Sequence, residues 1–253
     1  MVNVLRRLAD FAITAILWTY YIGGFILVFS PLYFVSFFFR DKRDVAYQQL
    51  NNLFFRSFFA LLRTVVPRVT WQVSDEVRAI RSSVIIANHL SFLDPILFVS
   101  LFARQKTVVK KDYFRVPVFG WILETSSYIP AFTEDSGAEI LLEQVGKMKT
   151  YLAEGGNLFM FPEGTRSRDG RIGAFDRGAF RIAKFCDAPI RVVVIRNTGR
   201  LYPPGRFLFN TRERFTISVE SAGTLTPDYA DETFSLSALM AKARTRMEGR
   251  DNP

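Results

Sequence analysis

The chain holds a single histidine, His89, and a single cysteine, Cys186, in 253 residues. One cysteine excludes an intramolecular disulfide, and one cysteine with one histidine leaves no Cys/His cluster for zinc. The usage fits a reducing compartment. Glycine is missing from the patterns that would announce common chemistries. No two glycines lie four apart, which excludes the G-x-S-x-G nucleophile elbow, and none lie two apart, which excludes G-x-G-x-x-G. A G-K-S/T phosphate loop is absent as well, as are internal repeats and low-complexity tracts. A serine hydrolase would have to use Ser91 with the one histidine and no elbow, an unfamiliar geometry for activating a hydroxyl. Acidic residues are outnumbered 24 to 33 by Lys and Arg, a net charge of +9. Such a balance attracts nucleic acid, acidic lipid headgroups, phosphorylated small molecules or an acidic protein, and does not choose among them.

Apolar residues are abundant, at 49%, and 26 of them are Phe, crowded toward the amino end. From Phe11 to Phe39 there is no charged residue, whereas roughly 20 helical residues cross a bilayer core. The stretch reads as a membrane segment. It is too long for a signal-peptide core and ends in no small-x-small cleavage site. Gly23, Gly24 and Pro31 interrupt it, so one tilted span and a bent helix dipping into one leaflet both stay open. Arg6 and Arg7 flank one end, and Arg40, Lys42 and Arg43 flank the other. This balance mildly biases the rest of the chain toward the cytoplasmic face. Between Val45 and Val66, apolar residues from Leu50 to Val65 recur at helical spacing; this helix either lies on the membrane or packs on the globular part, and Pro67 closes it. The chain thus divides into hydrophobic membrane-associated helices over 1–67 and one α/β domain over 68–253, a length that buries one large core.

Beyond Pro67, short β-rich runs alternate with helical ones. The expected strands are Val69–Val73, Ser83–Ala87, Thr107–Lys110, Tyr128–Phe132, Asn157–Phe161, Ile190–Ile195 and Phe215–Glu220. The expected helices are Pro95–Ala103, Ala138–Ala153 and Ala174–Phe185.

His89 follows the apolar strand in Asn88-His89-Leu90-Ser91-Phe92-Leu93-Asp94, so any imidazole chemistry must happen there. The carboxyl end of a strand opening into a helix is where α/β folds expose functional groups. The intervening turn can fold Asp94 back toward the ring, where its carboxylate would fix the tautomer and leave the other nitrogen free as a base. A second stretch, Phe161-Pro162-Glu163-Gly164-Thr165-Arg166-Ser167, follows another apolar strand and is expected on the same rim of the sheet. Arg166 offers a planar fork of donors suited to phosphate, Gly164 permits close backbone approach, and Glu163 can hold the loop or a polar group of the acceptor.

These two stretches, in this order and roughly 70 residues apart behind a hydrophobic amino terminus, resemble the 1-acyl-glycerol-3-phosphate acyltransferase family. N-H-L-S-F-L-D resembles its H-x-x-x-x-D block, F-P-E-G-T-R-S is similar to its second signature, and Ala188-Pro189-Ile190-Arg191-Val192-Val193-Val194 looks like its fourth block. The resemblance covers Val84 to Ile195. It implies a mixed sheet flanked by helices beside the membrane element, and transfer of a fatty acyl group from acyl-coenzyme A or acyl carrier protein to a lysolipid hydroxyl. His89 and Asp94 would be catalytic, and Asn88, Ser91, Glu163, Gly164, Thr165, Arg166 and Arg177 would form the substrate site. Metal and bound cofactor are not implied; membrane lipids are the implied surroundings.

Two departures from the family pattern bear on the acceptor. Its remaining block ends in an arginine, but the stretch Ser127-Tyr128-Ile129-Pro130-Ala131-Phe132-Thr133 ends in Thr133. A lysine common in F-K-x-G is replaced in Phe175-Asp176-Arg177-Gly178, where Arg177 is the available substitute. A different lysolipid acceptor is the alternative. Two other classes are a non-catalytic basic membrane-surface module and a nucleic-acid binder, the latter prompted by Arg200, Arg206, Arg212 and Arg214 around Tyr202 and Phe207. The membrane segment argues against nucleic acid; those arginines form a solvated face or receive an acidic carrier or the donor's phosphates.

Overall fold

The computed structural model describes residues 2–38, 43–116, 119–130 and 138–251. Phe39, Arg40 and Lys42 of the expected flank, and Ala131, Phe132 and Thr133 of the altered block, lie outside these.

The amino-terminal apolar stretch forms one unbroken helical rod. Helix α1 (Val2–Thr19) passes into a π-helical turn region (Tyr20–Phe29) and then α2 (Ser30–Phe37), with helical dihedrals at Thr19 and Ser30. The Ser30 N–H donates to Phe25 O, the i→i−5 bond of a widened helix. Widening ends just before Pro31, whose ring would otherwise press on the preceding turn. Helix α3 (Arg43–Val65) doubles back beside this rod. The Tyr47 hydroxyl donates to Tyr33 O at 2.9 Å, the Tyr33 hydroxyl donates to Asn51, and the Phe29 and Phe54 rings meet at 4.9 Å.

The chain then runs through β1 (Val69–Val73), the short α4 (Asp75–Arg78), β2 (Val84–Ala87), α5 (Leu93–Leu101) and β3 (Gln105–Val109). Short helices α6 (Lys111–Phe114) and α7 (Phe119–Thr125) lead to β4 (Ile129–Pro130), followed by α8 (Ala138–Ala153), β5 (Asn157–Met160) and α9 (Gly178–Cys186). Strand β6 (Ile190–Arg196), α10 (Thr198–Leu201), β7 (Phe215–Leu225) and α11 (Leu236–Asp251) complete it. Every strand placed by residue pattern is present within a few residues. Helix α9 starts four residues later than expected, because the Asp176 N–H is held by Pro162 O at 2.6 Å and its carboxylate caps Gly178. Helix α11 is not among the expected elements; it buries Leu239, Ala243 and Met247, with Leu236 and Met240 half-buried beside them.

The sheet has seven strands in the order β1-β7-β6-β2-β5-β3-β4. Strands β6, β2, β5, β3 and β4 are mutually parallel, while β7 runs antiparallel to β6 and parallel to β1. This is a mixed α/β sheet flanked by helices. Side chains alternate across it. Ile85, Ala87, Phe159, Val193 and Ile195 pack toward α3 and α5, and Val84, Ile86, Leu158, Met160, Val192 and Val194 toward α8, α9 and α11. Burial on both faces explains why β2 and β5 read as continuous apolar runs. Because they are parallel neighbours, with Val84 opposite Leu158, the loops after them leave the same rim side by side.

Of the two placements open for α3, packing on the globular part is the one observed. Phe58, Phe59 and Leu62 enter its core, and Asn52 donates to Val99 O at 2.8 Å and Ser100 O at 3.0 Å. Gln48 is buried, donating to Ser126 O at 3.1 Å and accepting the Tyr151 hydroxyl at 2.7 Å. Gln48→Leu keeps the volume but orphans one buried acceptor and one buried donor, at about 1–3 kcal/mol each. A drop of about 2–6 kcal/mol in unfolding free energy is expected from denaturant titration in detergent.

Candidate active site

Residues 88–92 leave β2 without helical structure, and α5 then begins at Leu93, placing Asp94 in its first turn. The helix dipole favours a carboxylate there. Three donors converge on its Oδ2: Leu90 N–H at 2.6 Å, Ser91 N–H at 2.7 Å and His89 Nδ1 at 3.0 Å. Asp94 is 0% exposed, and the His89 side chain is 16% exposed. With the Nδ1 proton pointed at the carboxylate, the ring's Nε2 is the nitrogen with a free lone pair. The ring lies stacked on Phe161, centroids 4.3 Å apart, which limits its rotation from the face side.

The two sequence stretches are joined through the main chain of His89. Its N–H donates to Glu163 Oε1 at 3.0 Å, and its carbonyl accepts Ser167 N–H at 2.7 Å. Glu163 Oε2 takes Gly173 N–H at 2.7 Å, so both carboxylate oxygens bind backbone and Glu163 holds the loop, the first of the two roles open to it. The segment from Pro162 to Asp176 closes on itself through the Asp176-to-Pro162 bond and presents Gly164, Thr165, Arg166, Arg168 and Arg171 to solvent. Gly164 has φ +65°, the left-handed region, with open space where a Cβ would stand. Its left-handed backbone favours glycine, and the space beside it is open. Burial pushes the Tyr202 hydroxyl upward in pKa, and the positive charge of Arg166 nearby opposes this. The Tyr202 carbonyl accepts the Ser91 hydroxyl at 2.9 Å, which ties the segment after β6 to the His89 turn. Arg177 stands exposed one residue beyond the closure.

Asn88 and Ser91 need correction as substrate contacts. Asn88 is 1% exposed, with Nδ2 donating to Ile195 O at 2.8 Å and Oδ1 accepting Ile195 N–H at 2.7 Å. Its amide continues the β2–β6 ladder where β2 ends. Ser91 is 0% exposed, with its hydroxyl committed to Tyr202 O. That geometry also removes Ser91 as a nucleophile. Phe161 and Tyr202 were not expected at this site: Phe161 only heads the second stretch, and Tyr202 stands among the arginines that suggested nucleic acid. Among the described residues no group of three His, Cys, Asp or Glu could hold a metal ion. Of the basic residues that suggested nucleic acid, Arg200 pairs with Glu213 at 2.8 Å and Arg212 with Asp10 at 3.3 Å.

Asn88→Ala would leave the N–H and C=O of Ile195 unpaired in a buried strand. A loss of about 2–4 kcal/mol in stability follows, read as a lowered denaturant midpoint; an unchanged midpoint would contradict the ladder role.

A family model described as Acyltransferase matches residues 68–196, just over half of the chain. A chloroplastic 1-acyl-sn-glycerol-3-phosphate acyltransferase of Brassica napus is 34% identical over 122 residues, covering 48% of this chain and 35% of that protein. Its Arabidopsis thaliana counterpart is 32% identical, over 49% of this chain and 34% of that protein. A 1-acyl-sn-glycerol-3-phosphate acyltransferase of Pseudomonas aeruginosa is 29% identical, over 54% of each chain. The match thus spans about a third of the plant proteins and about half of the bacterial one. The crystal structure of the 1-acyl-sn-glycerophosphate acyltransferase of Thermotoga maritima superposes with a TM-score of 0.69 at 22% identity, covering 100% of this chain and 99% of that one, and so has the same fold. With the two sequence stretches joined around one histidine and the family model lying across both, the chain belongs to the Acyltransferase family.

Proposed function

We propose that the protein transfers a fatty acyl group from a thioester, acyl-coenzyme A or acyl carrier protein, to the free hydroxyl of 1-acylglycerol 3-phosphate, giving phosphatidic acid. The observation that carries this reading is the His89–Asp94 contact, with Nε2 left for a substrate beside a loop bearing Arg166. Nε2 removes the hydroxyl proton as the oxygen attacks the thioester carbonyl. The C–O bond forms, the C–S bond breaks, and the departing thiolate takes the proton back from His89. An acyl-enzyme is not needed, because a thioester is already reactive; a positioned base contributes on the order of 10²-fold to 10⁴-fold. Asp94 keeps the imidazole in the useful tautomer and stabilises the transient imidazolium. Arg166 is the proposed partner of the acceptor phosphate, with Arg177 a further cation near the loop's end. Relatives named 1-acyl-sn-glycerol-3-phosphate acyltransferases support the choice of acceptor. Thr133 in place of the family's block arginine favours a second reading, a different lysolipid acceptor with the same chemistry.

The rod over Arg7–Phe37 is long and apolar enough to cross a membrane. Its contacts favour lying in one leaflet instead. Asp10 accepts Thr211 N–H at 3.3 Å, Thr14 accepts Phe209 N–H at 3.0 Å, Trp18 stacks on Phe207 at 6.1 Å, and Phe37 meets Trp121 at 6.2 Å. At 1.5 Å per residue, Asp10 and Phe37 are roughly 40 Å apart, more than the roughly 30 Å hydrocarbon thickness. A perpendicular span would drag the touching flank of the globular domain into hydrocarbon. We place the rod parallel to the surface with Leu27, Phe34, Phe38 and Phe207 toward lipid, all exposed, and the α/β domain on the cytoplasmic face.

His89→Ala is expected to abolish acyl transfer from labelled donor while membrane association persists, and Asp94→Asn to lower kcat by about 10²-fold to 10⁴-fold. Transfer at the wild-type rate by His89→Ala would sink the reading. Arg166→Ala is expected to raise the acceptor KM more than the donor KM; an unchanged acceptor KM would remove the phosphate assignment. Mass identification of the product from a panel of lysolipids separates the two acceptor readings. Release of free thiol only when acceptor is present separates either from a non-catalytic membrane-surface protein.

A further inference from the structure

Beyond the family-matched region, the carboxyl-terminal helix α11 reaches into the Glu163 loop with one side chain. Arg244 Nη1 donates to Gly173 O and Nη2 to Ile172 O, both at 3.1 Å. Its Nε donates to Glu248 Oε1 at 2.6 Å, and the guanidinium stands 6.0 Å over the Phe175 ring. Every nitrogen of the fork is used, and two of them grip successive backbone carbonyls of the loop.

The grip on Ile172 matters most, because Ile172 O and Gly173 N belong to one rigid peptide plane. Arg244 holds its oxygen, and its N–H donates to Glu163 Oε2 at 2.7 Å. A cation on the carbonyl polarises the peptide and strengthens the bond its N–H gives to the carboxylate. Glu163 Oε1 in turn holds the N–H of His89 at 3.0 Å. A Cβ at Gly173 would lie 3.1 Å from Glu163 Oε2, so the carboxylate would have to shift by a few tenths of an ångström to make room. The line runs guanidinium, peptide, carboxylate, His89 amide, with Arg166 carried on the loop between its anchors.

We infer that Arg244 is a positioning residue for both halves of the site, acting through the 172–173 peptide and Glu163 to fix the loop that presents Arg166 and the main chain of His89. A kinetic consequence rests on the function proposed above, but the positional claim does not. The experiment compares the full-length wild type, Arg244→Ala and Arg244→Lys in detergent by amide hydrogen exchange and by acyl transfer from acyl-coenzyme A to 1-acylglycerol 3-phosphate.

For Arg244→Ala, exchange in peptides covering His89 and residues 163–173 is expected to quicken about tenfold, with β2 and β6 unchanged. The acceptor KM should rise about tenfold and the donor KM by less than about twofold. Arg244→Lys, a point charge that cannot grip both carbonyls, should recover only part of either effect. Unchanged exchange at those peptides overturns the inference, as does acceleration spread evenly through the core, which would mean general destabilisation. An equal rise in both KM values also counts against it. Should Arg244→Ala fail to fold, Arg244→Lys carries the test alone, and exchange at those peptides no faster than in the wild type is equally fatal. Local acceleration in a protein that acylates no lysolipid would uphold the linkage and defeat the proposed function instead.

Discussion

The site depends on how the main chain of His89 is held. A histidine at the end of a buried strand has a backbone N–H and C=O that the sheet no longer pairs, and buried backbone groups must find partners. Both partners come from the second loop: Glu163 takes the N–H and Ser167 supplies a donor to the C=O. The requirement to satisfy two polar groups therefore brings the two chemically distinctive stretches together, without side-chain contact between His89 and Arg166 being needed. Asp94 then does for the loop what it does for the ring. Its Oδ2 gathers two backbone N–H groups as well as Nδ1, so the carboxylate that orients the imidazole also shapes the turn carrying it. Losing that carboxylate would release ring and loop together.

Much of this was legible in the residues, for a definite reason. Strands β2, β5 and β6 are covered on both faces, so they stand out as apolar runs, and a polar cluster after such a run marks the rim of a sheet. The folding back of Asp94 onto His89 could be expected from a five-residue separation that no helix face provides. What pattern could not decide was the direction in which polar side chains of the loops turn. Asn88 and Ser91 lie in the same short stretch as His89, yet point into the fold, because the end of β2 and the Tyr202 carbonyl each need a partner. Their inward use depends on Ile195 and Tyr202, more than 100 residues away. Local sequence carries no sign of such pairings.

The same limit explains α11. Its apolar face, Leu239, Ala243 and Met247 with Leu236 and Met240 half-buried beside them, is interspersed with Lys242, Arg244 and Arg246, which blur the helical period. Its contribution near the site is one arginine among 33 cationic residues, singled out only by what it touches. By contrast, the reversal of β7 against β6 and the bulge at Val192 and Val193 follow from tertiary pairing. Gly223, at φ +104°, lies opposite Val192 in that pairing.

The segment after β6 links the apolar rod to the rim of the sheet that carries His89. Its Tyr202 carbonyl fixes Ser91, two residues from His89, while Phe209 and Thr211 give backbone N–H groups to Thr14 and Asp10 of the rod. Asp10 and Thr14 are polar groups at the edge of an apolar helix; they keep their hydrogen bonds only while the rod stays against this segment, since in hydrocarbon alone they would be left unpaired. The rod's attachment is thus directional as well as apolar. It brings the outer apolar surface to the side of the molecule where Phe92 meets both Tyr21 of the rod and Tyr202. The exposed apolar surface of the rod and the turn that carries His89 therefore rest on the same few residues, Tyr21, Phe92 and Tyr202.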